Sequence, residues 1–440
     1  MNRDIQSIVE RDNPWLSDPD PSVLSGWLRV RLPRTYIRRI VAARARERWV
    51  ETDRAHLVVG PRQSGKSTTI WHHLAGREAP VLFVDCEQRL IQEWCRSAPR
   101  FLGDLETLLK RPVTLFFEEA QHLDEAGLFL KGLVDRRPGV PILVTGSSSF
   151  HLRSRTRESL AGRASRTRLL PFSLAEVTSD LADKPEAIHR RALDERFQRH
   201  TRYGGYPEVW LSPTPETMLT DLVEAIILRD ASDLFHIARP DAFRRLLRLA
   251  AHQAGNLVNV SEWASILGVS RQTVSSYLEI LESSHVVAVV PPFVGGRRAE
   301  ITSMPKIFLV DNGVRNRLLH DFKPHDERTD KGPTLENWVF TELWKELPDG
   351  ASLHFWRSSS GAEVDFVVVR GDTIVGVEVK SERLRQTKIP RASRSFVRAY
   401  RPRGLLLVNT GFGGEEALEG TDVRWIHPTE VAVRVGEVFC

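Results

Sequence analysis

The stretch GPRQSGKST at residues 60–68 fits the G-x-x-x-x-G-K-[ST] pattern of a phosphate-binding loop, and its flanks leave the chain few folds to choose from. Before it runs AHLVVG at 55–60, short, apolar and β-branched, which reads as a buried strand. After it TTIWHHLAG reads as the opening of a helix. Strand, loop and helix in that order are what the motif needs, because the glycines let successive backbone N–H groups turn toward a phosphate at the helix N-terminus. On that geometry Gly60, Pro61, Arg62, Gln63, Ser64, Gly65, Lys66, Ser67 and Thr68 cradle the phosphates. Lys66 reaches the β- and γ-phosphates and Ser67 holds the magnesium. The expected ligands are ATP and Mg2+.

From the loop onward, apolar strands alternate with helical stretches, the pattern of a parallel α/β sheet. PVLFVD at 80–85 is the second strand, VTLFFEEAQ at 113–121 the third, VPILVTGSS at 140–148 the fourth and RTRLLPFS at 166–173 the fifth. Ligands of such sheets sit beyond the carboxyl ends of the strands. There the third strand delivers Glu118 and Glu119, and the fourth delivers Thr145, Ser147 and Ser148. Glu118 is assigned to the magnesium and Glu119 to the attacking water, which in-line phosphoryl transfer requires. Ser147 is assigned to sensing the γ-phosphate.

The ordered set GPRQSGKST, FFEEAQ, VTGSSS, SLAGR (159–163) and LLPFSLAEV resembles the AAA-type core of a widespread group of prokaryotic ATPases. The resemblance continues through RYGGYPEV (202–209) and ILRDASDL (227–234) to GAEVDFVVV and VEVK near the C-terminus. In that group the core is coupled to a C-terminal domain with a restriction-endonuclease-like element. This chain departs from the group by carrying Glu118-Glu119 where Asp-Glu is usual, which shifts the metal contact of the first carboxylate. The resemblance implies that Arg163 acts on nucleotide, in its own chain or from a neighbouring subunit. A local structural role within the basic stretch around it is the competing reading.

The segment from about 180 to 240 looks helical, broken at PTP (213–215), and is expected to be a lid or a packing element. In the stretch 256–293 a helix around Glu262 to Leu267 is followed by a turn at Gly268 and a second helix capped by Ser270. With the strand VVAVVPPF and GGRR (295–298) this reads as a winged helix-turn-helix. Its recognition helix would present Arg271, Gln272, Ser275 and Ser276 to a DNA groove, with Arg297 and Arg298 of the wing on phosphate. Such modules also serve as packing elements, so both uses stand open at this point.

Near the C-terminus, TLENWVFTELWKEL (334–347) is an amphipathic helix containing Glu336, and AEVDFVVVRGDTIVGVEVK (362–380) reads as two strands about a turn. Strand periodicity puts Glu378 and Lys380 on one face, with Asp365 on the partner strand. The order Glu, Asp, Glu-x-Lys resembles the PD-(D/E)xK nuclease core, where Asp365 and Glu378 would bind magnesium and Lys380 would orient water or stabilise the phosphorane. Eight basic residues between Arg383 and Arg403 follow, a surface suited to tracking phosphates or simply to solvent.

Composition adds bounds. A chain of 440 residues suffices for several domains, and its net charge of +5 argues only weakly for a nucleic-acid partner. Arginine outnumbers lysine 52 to 10, which favours bidentate phosphate contacts but also follows from a GC-rich genome. Three cysteines without a paired framework suit a reducing compartment and leave no cysteine zinc site. No apolar run reaches membrane-span length, so the chain is expected to be cytoplasmic, without a membrane partner.

The expected fold class is α/β: an N-terminal lead-in (1–45), a P-loop AAA-type parallel-sheet core (46–178), a helical segment (179–240), a winged helix (241–318) and a C-terminal α/β endonuclease-like domain (319–440). The expected activity is ATP hydrolysis coupled to remodelling or translocation of DNA, branched DNA or ends included, in a homo-oligomer, a ring being one form. The alternatives are an ATP-gated nuclease and a nucleotide-operated regulatory switch.

Overall fold

The computed structural model describes residues 2–18, 20–75, 80–109, 112–146, 160–226, 237–295, 304–384 and 386–439. The chain divides into two compact units, Met1–Pro171 with Ser283–His285, and Phe172–Glu282 with Val286–Cys440.

The first unit is built on five parallel strands: β1 (Ala55–Val59), β2 (Val81–Asp85), β3 (Thr114–Glu118), β4 (Ile142–Gly146) and β5 (Ala164–Arg168), in the order β2-β3-β4-β1-β5. Alternation along each central strand feeds two separate apolar layers. Leu57, Leu115 and Phe117 join one, while Val58, Phe116 and Leu143 join the other. Burial on both faces is why these strands read as continuous apolar runs.

The N-terminal residues are an integral part of this unit and not a lead-in. Asn13 is fully buried and pairs with the edge strand through both groups of its amide: Nδ2 donates to the Phe83 carbonyl at 2.9 Å and Oδ1 accepts from the Phe83 N–H at 2.6 Å. Trp15 adds a bond from Nε1 to the Val81 carbonyl at 2.7 Å. The open edge of β2 is thereby capped by side chains, a device that keeps an exposed strand from pairing with other chains. Trp15 packs edge-on to Trp27 and Trp71, which meet each other tilted, with centroids 4.7–6.0 Å apart.

In the second unit one apolar cluster runs from Tyr206 to Leu318, so the expected boundary at 240/241 cuts through a shared core. Helices Val260–Leu267 and Arg271–Ser283 meet at Gly268 (φ 65°), as expected, and are followed by the antiparallel pair β6 (Val287–Val290) and β7 (Lys306–Leu309). The Lys331–Glu346 helix then leads into a mixed six-stranded sheet. Its strands are β8 (Ser352–Arg357), β9 (Glu363–Arg370), β10 (Thr373–Val379), β11 (Gly404–Val408), β12 (Gly414–Leu418) and β13 (Thr421–Ile426), in the order β12-β13-β11-β10-β9-β8.

The RYGGYPEV segment is structural here. Gly204 has φ 73°, and a Cβ there would collide with the Asp311 carboxylate, which accepts the Gly205 N–H at 2.8 Å and the Val314 N–H at 3.1 Å. His200, one turn upstream, bridges Phe172 and the Lys331–Glu346 helix.

Candidate functional site

The phosphate-binding loop closes between β1 and the Lys66–Leu74 helix, as its sequence requires. Gln63 and Gly65 both adopt positive φ (58° and 89°), which turns neighbouring N–H groups to one side and makes an anion-binding concavity. Gly60 has no room for a Cβ, which would run into the Leu169 carbonyl. Lys66, only 4% exposed, donates to the carbonyls of Gly60 (3.2 Å) and Pro61 (3.0 Å). Arg39 pins the loop from behind, donating to the Ser64 carbonyl at 2.8 Å and to the Leu170 carbonyl. It is buried, and no local sequence signal marks it.

The two glutamates take different positions. The sheet ends at Glu118, and Glu119 turns out of it in the left-handed region (φ 50°, ψ 47°) instead of continuing the strand. The Thr145 hydroxyl at the end of β4 holds that turn by accepting the Glu119 N–H at 3.0 Å. The Glu119 carboxylate lies 4.0 Å from Lys66 Nζ and accepts from Gln121 Nε2 at 2.5 Å. Burial is the largest influence and opposes its ionisation, but Lys66, the Gln121 bond, Arg62 and His122 together hold the carboxyl below its ordinary range. Burial pushes Glu118 the other way, up to about 7, against a hydrogen bond from Ser67. Ser67 and Glu118 are therefore neighbours, as a magnesium site between loop and third strand needs, and this donor set fits a hard divalent cation beside triphosphate oxygens.

Ser147 lies outside the described residues, as do Arg297 and Arg298. Arg163 is a correction within a single chain. It sits just before β5, where its carbonyl accepts the Ala55 N–H at the amino end of β1. That places it a whole strand away from the loop, roughly 15 Å at the usual rise per residue. Its guanidinium bonds Asp135 at 2.5 Å, at the end of the sheet away from the loop.

In the second unit the structure does bring Glu336, Asp365, Glu378 and Lys380 together. It adds two residues the sequence reading missed, Lys306 of β7 and Glu363 of β9. Lys306 Nζ lies 3.0 Å from Glu336, 2.5 Å from Glu363 and 4.0 Å from Asp365. Glu363 was legible, since it shares a strand face with Asp365 two residues on. A lysine opening the apolar run KIFLV was the signal for Lys306. Asp365 also accepts the Val379 N–H at 2.7 Å, and Lys380 donates to Glu378 at 2.6 Å. Burial pushes Glu336 up to about 8 and Glu378 up to about 7. Asp365 and Glu378 are close enough for the Asp365 charge to help raise Glu378. Among the described residues no group of three or more His, Cys, Asp or Glu side chains is arranged to hold a metal.

On the Arg271–Ser283 helix, Arg271, Gln272 and Ser275 are exposed while Val274, Tyr277 and Leu278 are buried. In the basic run after Arg383, Arg394 bonds the Ile389 carbonyl and Arg398 bonds Glu419.

Comparison with known proteins parallels this division. A family model described as AAA domain matches residues 52–178. The first unit carries an AAA-type P-loop core. Residues 194–325 match a domain of unknown function, DUF8612, and residues 331–426 match another, DUF4143. An uncharacterized protein of Mycobacterium tuberculosis is 28% identical over 91% of this chain and 86% of its own length. An uncharacterized protein of Methanocaldococcus jannaschii is 26% identical over 80% of each. Among solved structures, the Walker-type ATPase of Pyrococcus abyssi aligns with 66% of this chain and 97% of its own, at 16% identity and a TM-score of 0.45. Among the described residues no helix is long and apolar enough to cross a membrane.

Proposed function

We propose that this chain is a magnesium-dependent ATPase whose AAA-type core hydrolyses ATP to drive work on DNA by the second unit. The observation that carries the reading is the split between the two carboxylates at the end of β3. Glu119 is held ionised beside Lys66, ready to accept a proton from water, and Glu118 stands at Ser67 where the magnesium belongs. Residues 60–68 cradle the triphosphate, Lys66 supplies charge to it, and Arg39 and Thr145 position the loop and the base. Ser67 and Glu118 would hold the magnesium, which would supply charge neutralisation at the phosphates.

Support for DNA comes from the helix-turn-helix with its exposed Arg271 and Gln272, joined in sequence to Arg297 and Arg298. Because Arg163 sits at the wrong end of its own sheet, a role on nucleotide requires a neighbouring copy, which is the support for an oligomer. The test is the ATP hydrolysis rate with linear, single-stranded and branched DNA. Stimulation by one of them that vanishes in Glu119→Gln is the expected result. A rate indifferent to every DNA removes DNA from the reading and leaves the ATPase.

A further inference from the structure

The carboxylate cluster of the second unit is a cation cage that already holds a cation of its own. Lys306 is 4% exposed, and its ammonium is shared among Glu336, Glu363 and Asp365 at 3.0, 2.5 and 4.0 Å, with the Phe355 ring 5.6 Å away. Gly255, at φ 84°, brings the backbone close over the Glu336 carboxylate, where a Cβ would come within 3.0 Å of it. The second oxygen of Glu378 is buried with no partner, although Lys380 holds the first.

A divalent ion needs several oxygens about 2.0–2.6 Å away with their lone pairs turned to it. Glu336 and Glu363 each turn one oxygen to the Lys306 ammonium, and Asp365 faces it at 4.0 Å. A second cation at the same place would meet an ammonium charge that a largely buried setting screens poorly. The lysine is itself buried, and the strand that carries it is fixed in the core. Ile307, Phe308 and Leu309 are buried, Phe308 stacks on Phe340 at 4.6 Å, and Asn337 pairs with both backbone groups of Leu309.

We propose that Lys306 is the resident cation of this cluster, taking the place a divalent metal would need and closing the site to metal while β7 is seated. The lysine ties the β6–β7 pair to β9 and to the Lys331–Glu346 helix. This inference does not depend on the ATPase reading, because its test reads metal occupancy and neither hydrolysis nor DNA binding.

Manganese titrated into nucleotide-free full-length protein, with free Mn2+ read by electron paramagnetic resonance, decides it. Wild type and Asp365→Asn should bind alike. Lys306→Met should gain one Mn2+ per chain, at least about tenfold tighter than any site in wild type, and lose it again when Asp365→Asn is added. Wild-type binding that depends on Asp365 overturns the proposal, and so does a folded Lys306→Met that gains no ion. Should Lys306→Met fail to fold by circular dichroism, the wild-type and Asp365→Asn pair still decides: equal occupancy supports the proposal and unequal occupancy overturns it.

Discussion

Glu119 is one of seven described residues other than glycine with positive φ, a conformation that a side chain ordinarily avoids. Strain of this kind persists where the surroundings over-determine it, here Thr145 on the N–H and Lys66 and Gln121 on the carboxylate. The arrangement predicts that Glu119→Gln binds ATP normally and loses about 100-fold or more in turnover, while Lys66→Ala loses triphosphate affinity. Nucleotide binding and phosphate release, measured side by side, check both. Loss of turnover in Glu118→Gln with retention in Glu119→Gln would reverse the two roles.

His200 makes a second residue-scale prediction. Trp338 Nε1 donates to its Nδ1 at 2.9 Å, so Nε2 carries the proton and donates to the Phe172 carbonyl at 2.8 Å. Burial, with Lys345 nearby, pushes this histidine down to about 3, and a proton on Nδ1 would face the indole N–H. The unfolded chain protonates the ring near pH 6.5 while the folded one does not. Stability is therefore full above that pH and falls as pH drops, by up to about 1.4 kcal/mol per unit. Urea unfolding at pH 7.5 and 5.5 should show the fall in wild type, and His200→Gln should flatten it.

At the scale of elements, the Arg271–Ser283 helix owes its start to Ser270, whose hydroxyl accepts the Thr273 N–H at 3.1 Å, and its seat to Val274, Tyr277 and Leu278. Replacing Arg271 and Gln272 by Ala touches neither, so any effect belongs to a partner on the outer face. DNA affinity should fall, and the logarithmic salt slope should flatten by about 0.9 for each phosphate that the variant no longer neutralises. Unchanged DNA affinity with an altered elution volume on a sizing column would assign the face to packing between copies. The side-chain cap on β2 and the Lys306 tie share one logic. In each, a polar side chain distant in sequence joins two elements, Asn13 at the β2 backbone and Lys306 at carboxylates of β9 and the Lys331–Glu346 helix.

For the molecule as a whole, the position of Arg163 sets the prediction. Acting across a subunit boundary, Arg163→Ala would be inactive alone but would keep an intact P-loop site, whereas Glu119→Gln would keep the arginine and lack the base. Mixed, the two should regain part of the wild-type hydrolysis, because one subunit supplies what the other lacks. No recovery on mixing, or full activity of Arg163→Ala alone, assigns Arg163 to its bond with Asp135 and nothing more.

The chain's local order determined much of this. A phosphate-binding loop, four strands with their carboxyl ends, a two-helix turn at Gly268 and a Glu-Asp-Glu-x-Lys constellation depend on period, glycine placement and short-range spacing, which a sequence carries directly. What the tertiary structure alone decided came from residues far apart in the chain. Asn13 pairs with Phe83, Arg39 with Ser64, His200 with Trp338, and Lys306 with Glu336, Glu363 and Asp365. The sequence pattern takes Glu119 for strand, because nothing local reports that a hydroxyl at the end of β4 will hold it left-handed. It groups Glu336, Asp365, Glu378 and Lys380, yet it cannot show Lys306 among them. A period fixes which face a side chain takes, and only packing fixes what it meets there.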